Sequence, residues 1–526
     1  MDKIYINIQE DKMVKVKNFN GYISNKKELS EELGKTFDIR DDSGYVQAAY
    51  EKWGEEFAEH LQGMFAFIIC DEDEQKTVCG RDRFGNESMY YHITDEGELI
   101  CGLSINEILD SGSYKKELNE QALELFLTYS YLPGSDTFFK GIKKLMPGYL
   151  LIFKDKELSL KRYWKLEYKG DTSKDADYYA ELVNNALNEI IDNWKIEGES
   201  YGNFLSGGVD SAYLAALTKP KYTFSTAYDN KDFDESGLAA KSAELLGAKH
   251  IGVKVTPEDY FGVIPEAMKA MEQPLADAST IAFYLACRGA KEYVDVCYSG
   301  EGADELFCGY HAYVRRLVNL ENPEYNSAPV ETYYIGNTKV MNEKEKSKLL
   351  KNYKGDLTPL ELARSLYEFD ENTGDLTKMW MCDLNVWFEG DIMLNAEKMS
   401  KANGLIARTP FLDSRIYEIA ARIPTEYEAS ISESKIVFRK AASHMLPDEI
   451  AFRKKLGFAV PVRVWMREEP YLNKIREIFN SEYAAKYFDT SLLNEMLTDE
   501  YLDMPDNWRK VWCVYIFLVW YGIYFG

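Results

Sequence analysis

The chain has 526 residues, 46% hydrophobic, 14% aromatic and 28% charged, a length that one hydrophobic core does not fill, so two or three globular domains are expected. A net charge of −25 and a pI near 4.8 argue against nucleic acid as a partner, because phosphate backbones are held by basic faces. The apolar C-terminal stretch, residues 512–525, is too short to cross a bilayer and rich in aromatics, which predicts a buried terminal helix and no membrane partner.

In chain order, the first part is rich in short apolar or alternating runs at residues 4–7, 13–16, 64–70 and 99–101, separated by polar turns, the pattern of β-strands. Pro147-Gly148 precedes another strand pair at 149–153 and 158–160. A polar stretch at 169–175 separates this part from a helical segment at 178–194, which divides the chain into a domain over 1–165 and another over 176–526. From Tyr201 strands alternate with helices: strands at 203–205, 223–228, 250–255 and 294–298, helices at 212–217, 237–246 and 281–291. Such alternation predicts a doubly wound parallel sheet with ligands at the strands' carboxyl ends. After about Leu306 the chain reads as mostly helical to its end. Eight scattered cysteines without a Cys-x-x-Cys pair, and five isolated histidines, form no metal cluster and predict free thiols in a cytoplasmic protein. The N-terminus lacks the apolar core of a signal peptide.

The most informative string is Leu205-Ser206-Gly207-Gly208-Val209-Asp210-Ser211. A strand stops at a Ser-Gly-Gly turn and a helix follows, so the glycines expose backbone N–H groups to an anion. The helix start adds unpaired N–H groups and partial positive charge. Ser206 and Ser211 add hydroxyls, and the Asp210 carboxylate can take a magnesium ion. No Gly-Lys-Ser/Thr follows, so this is not the Walker loop. The string resembles the loop of the N-type ATP pyrophosphatases, which split ATP between the α and β phosphates. Argininosuccinate, GMP, NAD and tRNA-lysidine synthetases carry similar loops, and the string alone does not choose among them.

A second turn, Ser299-Gly300-Glu301-Gly302-Ala303-Asp304-Glu305, again follows a strand and opens a helix. Here the resemblance narrows to the asparagine synthetase family, in which Ser-Gly-Glu-Gly-Ser-Asp-Glu follows the first loop. Further matches are Phe233-Asp234-Glu235-Ser236, Glu272-Gln273-Pro274, Arg408-Thr409-Pro410-Phe411-Leu412-Asp413 and Arg453-Lys454-Lys455-Leu456-Gly457-Phe458. Before the linker, Gly63-Met64-Phe65-Ala66-Phe67 and Gly80-Arg81-Asp82-Arg83-Phe84-Gly85 resemble that family's glutaminase domain. The resemblance implies a shortened Ntn-hydrolase-like α+β domain followed by a doubly wound ATP-pyrophosphatase domain with a helical C-terminal part. It implies that the two loops bind ATP and pyrophosphate, with Asp210 and Asp304 on Mg²⁺. Lys455 would stabilise the α-phosphate as pyrophosphate leaves, and Glu301 would hold ammonium or take a proton from the attacking nitrogen.

The first domain departs from the family. The family's nucleophile is a cysteine following Met1, and this chain has Asp2. Only 19 residues precede Asn20-Gly21-Tyr22-Ile23-Ser24-Asn25, so about a third of the glutaminase domain is expected to be missing. Tyr22 stands where the family has Glu, and Gly44 replaces the Glu of its Asp-x-Glu clamp, although Asp42 remains. Glutamine hydrolysis is therefore not expected. In the second domain Lys401 and Ile406 stand where relatives have Met and Glu, and Cys308 replaces a glycine. These three positions are expected near the acceptor carboxylate.

The reading is an ATP- and Mg²⁺-dependent amide synthetase that adenylates a carboxylate and transfers the acyl group to nitrogen. Its partners would be ATP, a carboxylate, and ammonia or an amine; homodimer formation is left open. An amine-using amide or macrolactam synthetase is one alternative. A catalytically silent binding or assembly module is another, separable by ATP–pyrophosphate exchange.

Overall fold

A computed structural model describes residues 14–526 except 39, 197, 323, 325–327, 370–372, 455, 456 and 458. The strand expected at 4–7 and the first residue of that at 13–16 lie outside the described residues. Two compact units divide the chain.

The first unit holds the described residues up to Glu120, with Gly134–Glu167 and Leu412–Ser414. Its main sheet is antiparallel, built from β1 (Val14–Ile23), β2 (Gly63–Asp71), β3 (Lys76–Arg81), β7 (Tyr149–Lys154) and β8 (Glu157–Arg162) in that order. A smaller sheet runs β5 (Leu99–Gly102), β4 (Tyr90–Ile93), β6 (Lys143–Lys144). The period-2 alternation of β2 assigns its two faces. Phe65, Phe67 and Ile69 join a core with Val46, Ala49 and Tyr50 of the helix Asp42–Trp53, whereas Ala66 and Ile68 pack with Met89 and Leu145. Between β3 and β4, Asp82 is fully buried and accepts hydrogen bonds from the backbone N–H of Phe84, Asn86 and Glu87. That part of the Arg-Asp-Arg-Phe-Gly string ties down its own turn.

The second unit, Gln121–Pro133, Tyr168–Phe411 and Arg415–Gly526, is built on a parallel sheet. Its strands are β9 (Tyr201–Phe204), β10 (Tyr222–Ala227), β11 (Lys249–Lys254), β12 (Val296–Tyr298) and β13 (Ile406–Arg408), in the order β11-β10-β9-β12-β13. Every pair is parallel. Each of the four strands expected from 201 onward is present, with ends shifted by at most two residues. β13 was not expected, and a three-residue Ile-Ala-Arg strand is too short to show periodicity. Helices cross between strands, among them Val209–Thr218, Ser236–Leu245, Pro257–Met271 and Ser279–Lys291. Pro257–Met271 starts at a capping box in which Thr256 and Asp259 satisfy each other's backbone N–H.

From β9 the chain moves to one side through β10 and β11, then returns to the other side as β12. The carboxyl ends of β9 and β12 therefore flank a topological switch point, where doubly wound sheets open a crevice. The C-terminal helix Asn507–Tyr524 is buried throughout Val511–Trp520, and its Trp520 Nε1 donates to the Glu272 carbonyl at 2.9 Å. Among the described residues no helix is long and apolar enough to cross a membrane.

Candidate functional site

Both glycine turns open at this switch point. After β9, Ser206 Oγ accepts from the Gly208 N–H at 3.1 Å, and Ser211 Oγ accepts from the Ser206 N–H at 3.0 Å. The two hydroxyls lie 3.0 Å apart. Leu205 is buried and its N–H continues the sheet to the Phe224 carbonyl. The turn is thus braced from within, and Val209 begins the helix Val209–Thr218, which carries Asp210 and Ser211 in its first turn. A Cβ on Gly207 would sit 3.3 Å from the Leu238 side chain, so the backbone runs close to the next helix.

After β12, Ser299 continues the sheet through its N–H to the Arg408 carbonyl at 2.8 Å. Ser299 Oγ donates to Glu301 Oε1 at 3.4 Å. A Cβ on Gly300 would lie 3.4 Å from both Asp210 Cβ and the Ser211 nitrogen, which puts the two turns side by side. Gly302 has φ +92°, a conformation glycine adopts without strain. Asp304 stands in the short helical turn Ala303–Leu306 that follows.

Asp210 and Asp304 converge on one cation that the sequence pattern did not single out. Lys435 Nζ lies 2.5 Å from Asp210 Oδ1 and 2.7 Å from Asp304 Oδ1, with its side chain almost wholly buried. Lys435 is the N-cap of the helix Ile436–Ser443 and has φ +59°, a left-handed conformation that costs a lysine free energy. Gly309 makes room for the contact: a Cβ there would fall 2.0 Å from Asp304 Oδ1 and 2.1 Å from Lys435 Cε. A signal was present in the sequence, since Ser-Glu-Ser before an amphipathic segment marks a helix start. Nothing along the chain connects it to Asp210, 225 residues away.

Two carboxylates that share a cation within hydrogen-bonding distance are the donor set a hard divalent ion takes. Among the described residues no group of three or more Asp, Glu, His or Cys could hold a metal.

Lys455 lies outside the described residues. The base of its segment is anchored: Arg439 Nη1 donates to the carbonyls of Ala451 and Arg453, at 2.8 and 3.0 Å. Arg453 Nη1 reaches the Gly207 carbonyl of the first turn at 3.3 Å. Glu301 is half-buried in an acidic neighbourhood. Burial, with Asp304 and Glu301 close by, pushes the Glu305 carboxyl up to about 8. Burial and the Asp277 and Glu301 charges likewise raise Asp391, which Trp387 Nε1 contacts at 2.8 Å.

The three departures expected near an acceptor carboxylate do not cluster. Ile406 is 52% exposed and begins β13, at the amino end of the strand, whereas both glycine turns lie at carboxyl ends. Lys401 Nζ pairs with Glu397 Oε1 at 2.8 Å, one helical turn away. Cys308 alone adjoins the second turn, buried and with φ +52°. That left-handed backbone is one glycine adopts without strain.

Comparison with known proteins gives the family of the chain. The asparagine synthase family matches residues 182–522, and the glutamine amidotransferase domain family matches residues 8–164. The chain is 32% identical to asparagine synthetase (glutamine-hydrolyzing) 1 of Bacillus subtilis strain 168, over 96% of this chain and 85% of that protein. It is 29% identical to asparagine synthetase (glutamine-hydrolyzing) 3 of the same organism, over 83% and 74%. It is 25% identical to the amidase chyE of Penicillium rubens, over 84% and 76%. On the family match and the extent of these relationships, the chain belongs to the asparagine synthase family of ATP-dependent carbon–nitrogen ligases.

Proposed function

We propose that the protein is an AMP-forming amide synthetase that draws its nitrogen from ammonia or an amine and does not hydrolyse glutamine. The observation that carries the reading is the convergence of Asp210 and Asp304 on one cation between two glycine turns. In the first step a substrate carboxylate oxygen attacks the α-phosphorus of ATP, the bond to the bridging oxygen breaks, and pyrophosphate leaves. The N–H groups of the two turns cradle phosphate oxygens, and Lys435 adds a positive charge beside them. Magnesium, held by Asp210 and Asp304, would neutralise the departing pyrophosphate. Lys455 would meet the charge growing on the α-phosphate. In the second step the nitrogen attacks the acyl carbon, AMP leaves, and Glu301 accepts the proton released from nitrogen.

The case against glutamine rests on residues inside the first unit. Asp42, the surviving half of the clamp, is occupied by Lys26 Nζ at 2.9 Å and by the Ile23 N–H at 2.7 Å. Lys26 Nζ also sits 4.3 Å from the Tyr22 ring centroid. The space a side chain at Gly44 would need is filled, since a Cβ there would lie 2.4 Å from the Asp41 carboxylate. Asp42 and Tyr22 are thus both engaged by Lys26, and the Gly44 position faces Asp41 instead.

The test is a pyrophosphate-release screen across carboxylic acids, each offered with ammonia, with glutamine and with candidate amines. Release with ammonia or an amine, and no glutamate formed from glutamine, is the expected result. Glutamate formation above a heat-killed control would overturn the nitrogen assignment, and no release under any condition would overturn the synthetase reading.

A further inference from the structure

Glu428 is an unexplained buried group beside the cation site. It is 2% exposed, and neither carboxylate oxygen has a hydrogen-bond partner. Buried carboxylates are almost always paired, and one left without a partner costs free energy that function has to explain. Glu428 follows the 3₁₀ turn Thr425–Tyr427. A short hairpin closed by the Ala429–Ser434 bridge then brings the chain back, so that the Ile436 N–H donates to the Glu428 carbonyl at 3.0 Å. This return places Glu428 beside Lys435. Burial pushes the Glu428 carboxyl well up, and Lys435 is the charge that draws it back down. The Cys308 thiol lies within electrostatic reach of Glu428, and its own burial raises it as well.

Lys435 therefore has three carboxylates around it and engages two of them. We propose that Glu428 is the second berth for Lys435: when Asp210 and Asp304 turn to a metal–phosphate group, the lysine ammonium exchanges their carboxylates for that of Glu428 and the phosphate. Glu428 is then a positioning residue, acting through Lys435 and never touching the substrate. The inference rests on the nucleotide-site reading above.

The physical need is plain. A divalent ion and an ammonium cannot share two carboxylates at these distances without repulsion, so metal–phosphate binding frees Lys435 from both. A buried ammonium without a counter-charge is costly, and an orphaned carboxylate one hairpin away removes that cost. The ligand-free protein meanwhile keeps Asp210 and Asp304 apart from each other's charge by lending them Lys435.

Calorimetric titration of the full chain with pyrophosphate in the presence of Mg²⁺ tests the exchange, with AMP alone as the second probe. Glu428→Gln should weaken Mg²⁺-pyrophosphate binding by about tenfold and leave AMP affinity unchanged. Glu428→Asp should recover much of the loss. The ligand-free melting temperature of Glu428→Gln should be at or above that of the parent, since the variant removes an unpaired buried carboxyl. Unchanged pyrophosphate affinity in Glu428→Gln would overturn the exchange, as would a parallel fall for AMP. Failure of the parent protein to bind Mg²⁺-pyrophosphate would instead overturn the nucleotide site itself.

Discussion

Gly309 and Asp304 fit together only because Gly309 has no side chain: a Cβ would lie 2.0 Å from Asp304 Oδ1. The Gly309 N–H also donates to the Asp304 carbonyl at 2.7 Å, so backbone and carboxylate are placed by the same residue. Gly309→Ala should therefore displace the Asp304–Lys435 contact rather than be absorbed. The expected loss of stability is about 1–3 kcal/mol, the usual range for overpacking, together with lost ATP–pyrophosphate exchange. Exchange at the parent rate with a lowered melting temperature would show that the site tolerates the shift.

Lys435→Met should destabilise the ligand-free protein by about 3–5 kcal/mol, because removing one partner leaves buried carboxylates unpaired. Asp210 and Asp304 would then face each other without the ammonium that holds both. Mg²⁺ at millimolar concentration should restore part of the melting temperature in this variant and have little effect on the parent. Scanning calorimetry with and without Mg²⁺ reads both effects.

The glycine turns were legible because their chemistry is contiguous: each is a strand, a turn and a helix start within about ten residues. Lys435 was not, because its meaning is a contact with Asp210 across 225 residues. Glu428 was hidden in the same way, as one of many glutamates in an acidic chain. Ile406 and Lys401 are close to the motif in sequence, but β13 runs parallel to β12 and leaves Ile406 at the opposite end from the turns.

Asp383 predicts a pH dependence. It is fully buried, and burial lifts its carboxyl from 3.8 to about 7 although the Tyr313 and Tyr334 hydroxyls and Asn337 donate to it. Between those two values the folded state binds a proton that the unfolded state has lost. The group's stabilising contribution is therefore full below the unfolded value and is lost as pH rises through the folded one. Asp383→Asn has no such proton, so the melting temperature of the parent relative to this variant should fall between about pH 4 and pH 7 and level off above that. A constant difference across that range would show that Asp383 is ionised in the folded protein.

Deleting residues 1–165 should leave an aggregating fragment, because the deletion removes part of the second unit. The helix Glu120–Tyr129 supplies the Glu124 carbonyl to the buried Lys346 ammonium at 2.9 Å. The Tyr129 hydroxyl donates to the Pro359 carbonyl at 2.6 Å, and Thr128 Oγ1 to that of Met341 at 2.9 Å. The Glu124 carboxylate also accepts from the Lys354 and Gly355 N–H groups. Size-exclusion chromatography of the fragment 166–526 checks this; a soluble, fully active monomer would contradict it.

Lys455→Ala and Glu301→Gln should separate the two chemical steps. The positive charge of Lys455 matters most as the α-phosphate gains negative charge, so its loss raises the barrier more than it weakens ATP binding. A fixed donor to developing charge in a water-poor site contributes roughly 3–4 kcal/mol, a fall of about 10²–10³ in rate. ATP should still bind Lys455→Ala while ATP–pyrophosphate exchange collapses. Glu301 acts later in the proposed sequence, when nitrogen attacks, so Glu301→Gln should keep exchange and lose amide product. If Glu301→Gln loses exchange as completely as Lys455→Ala, Glu301 belongs to adenylation and its role as proton acceptor is wrong.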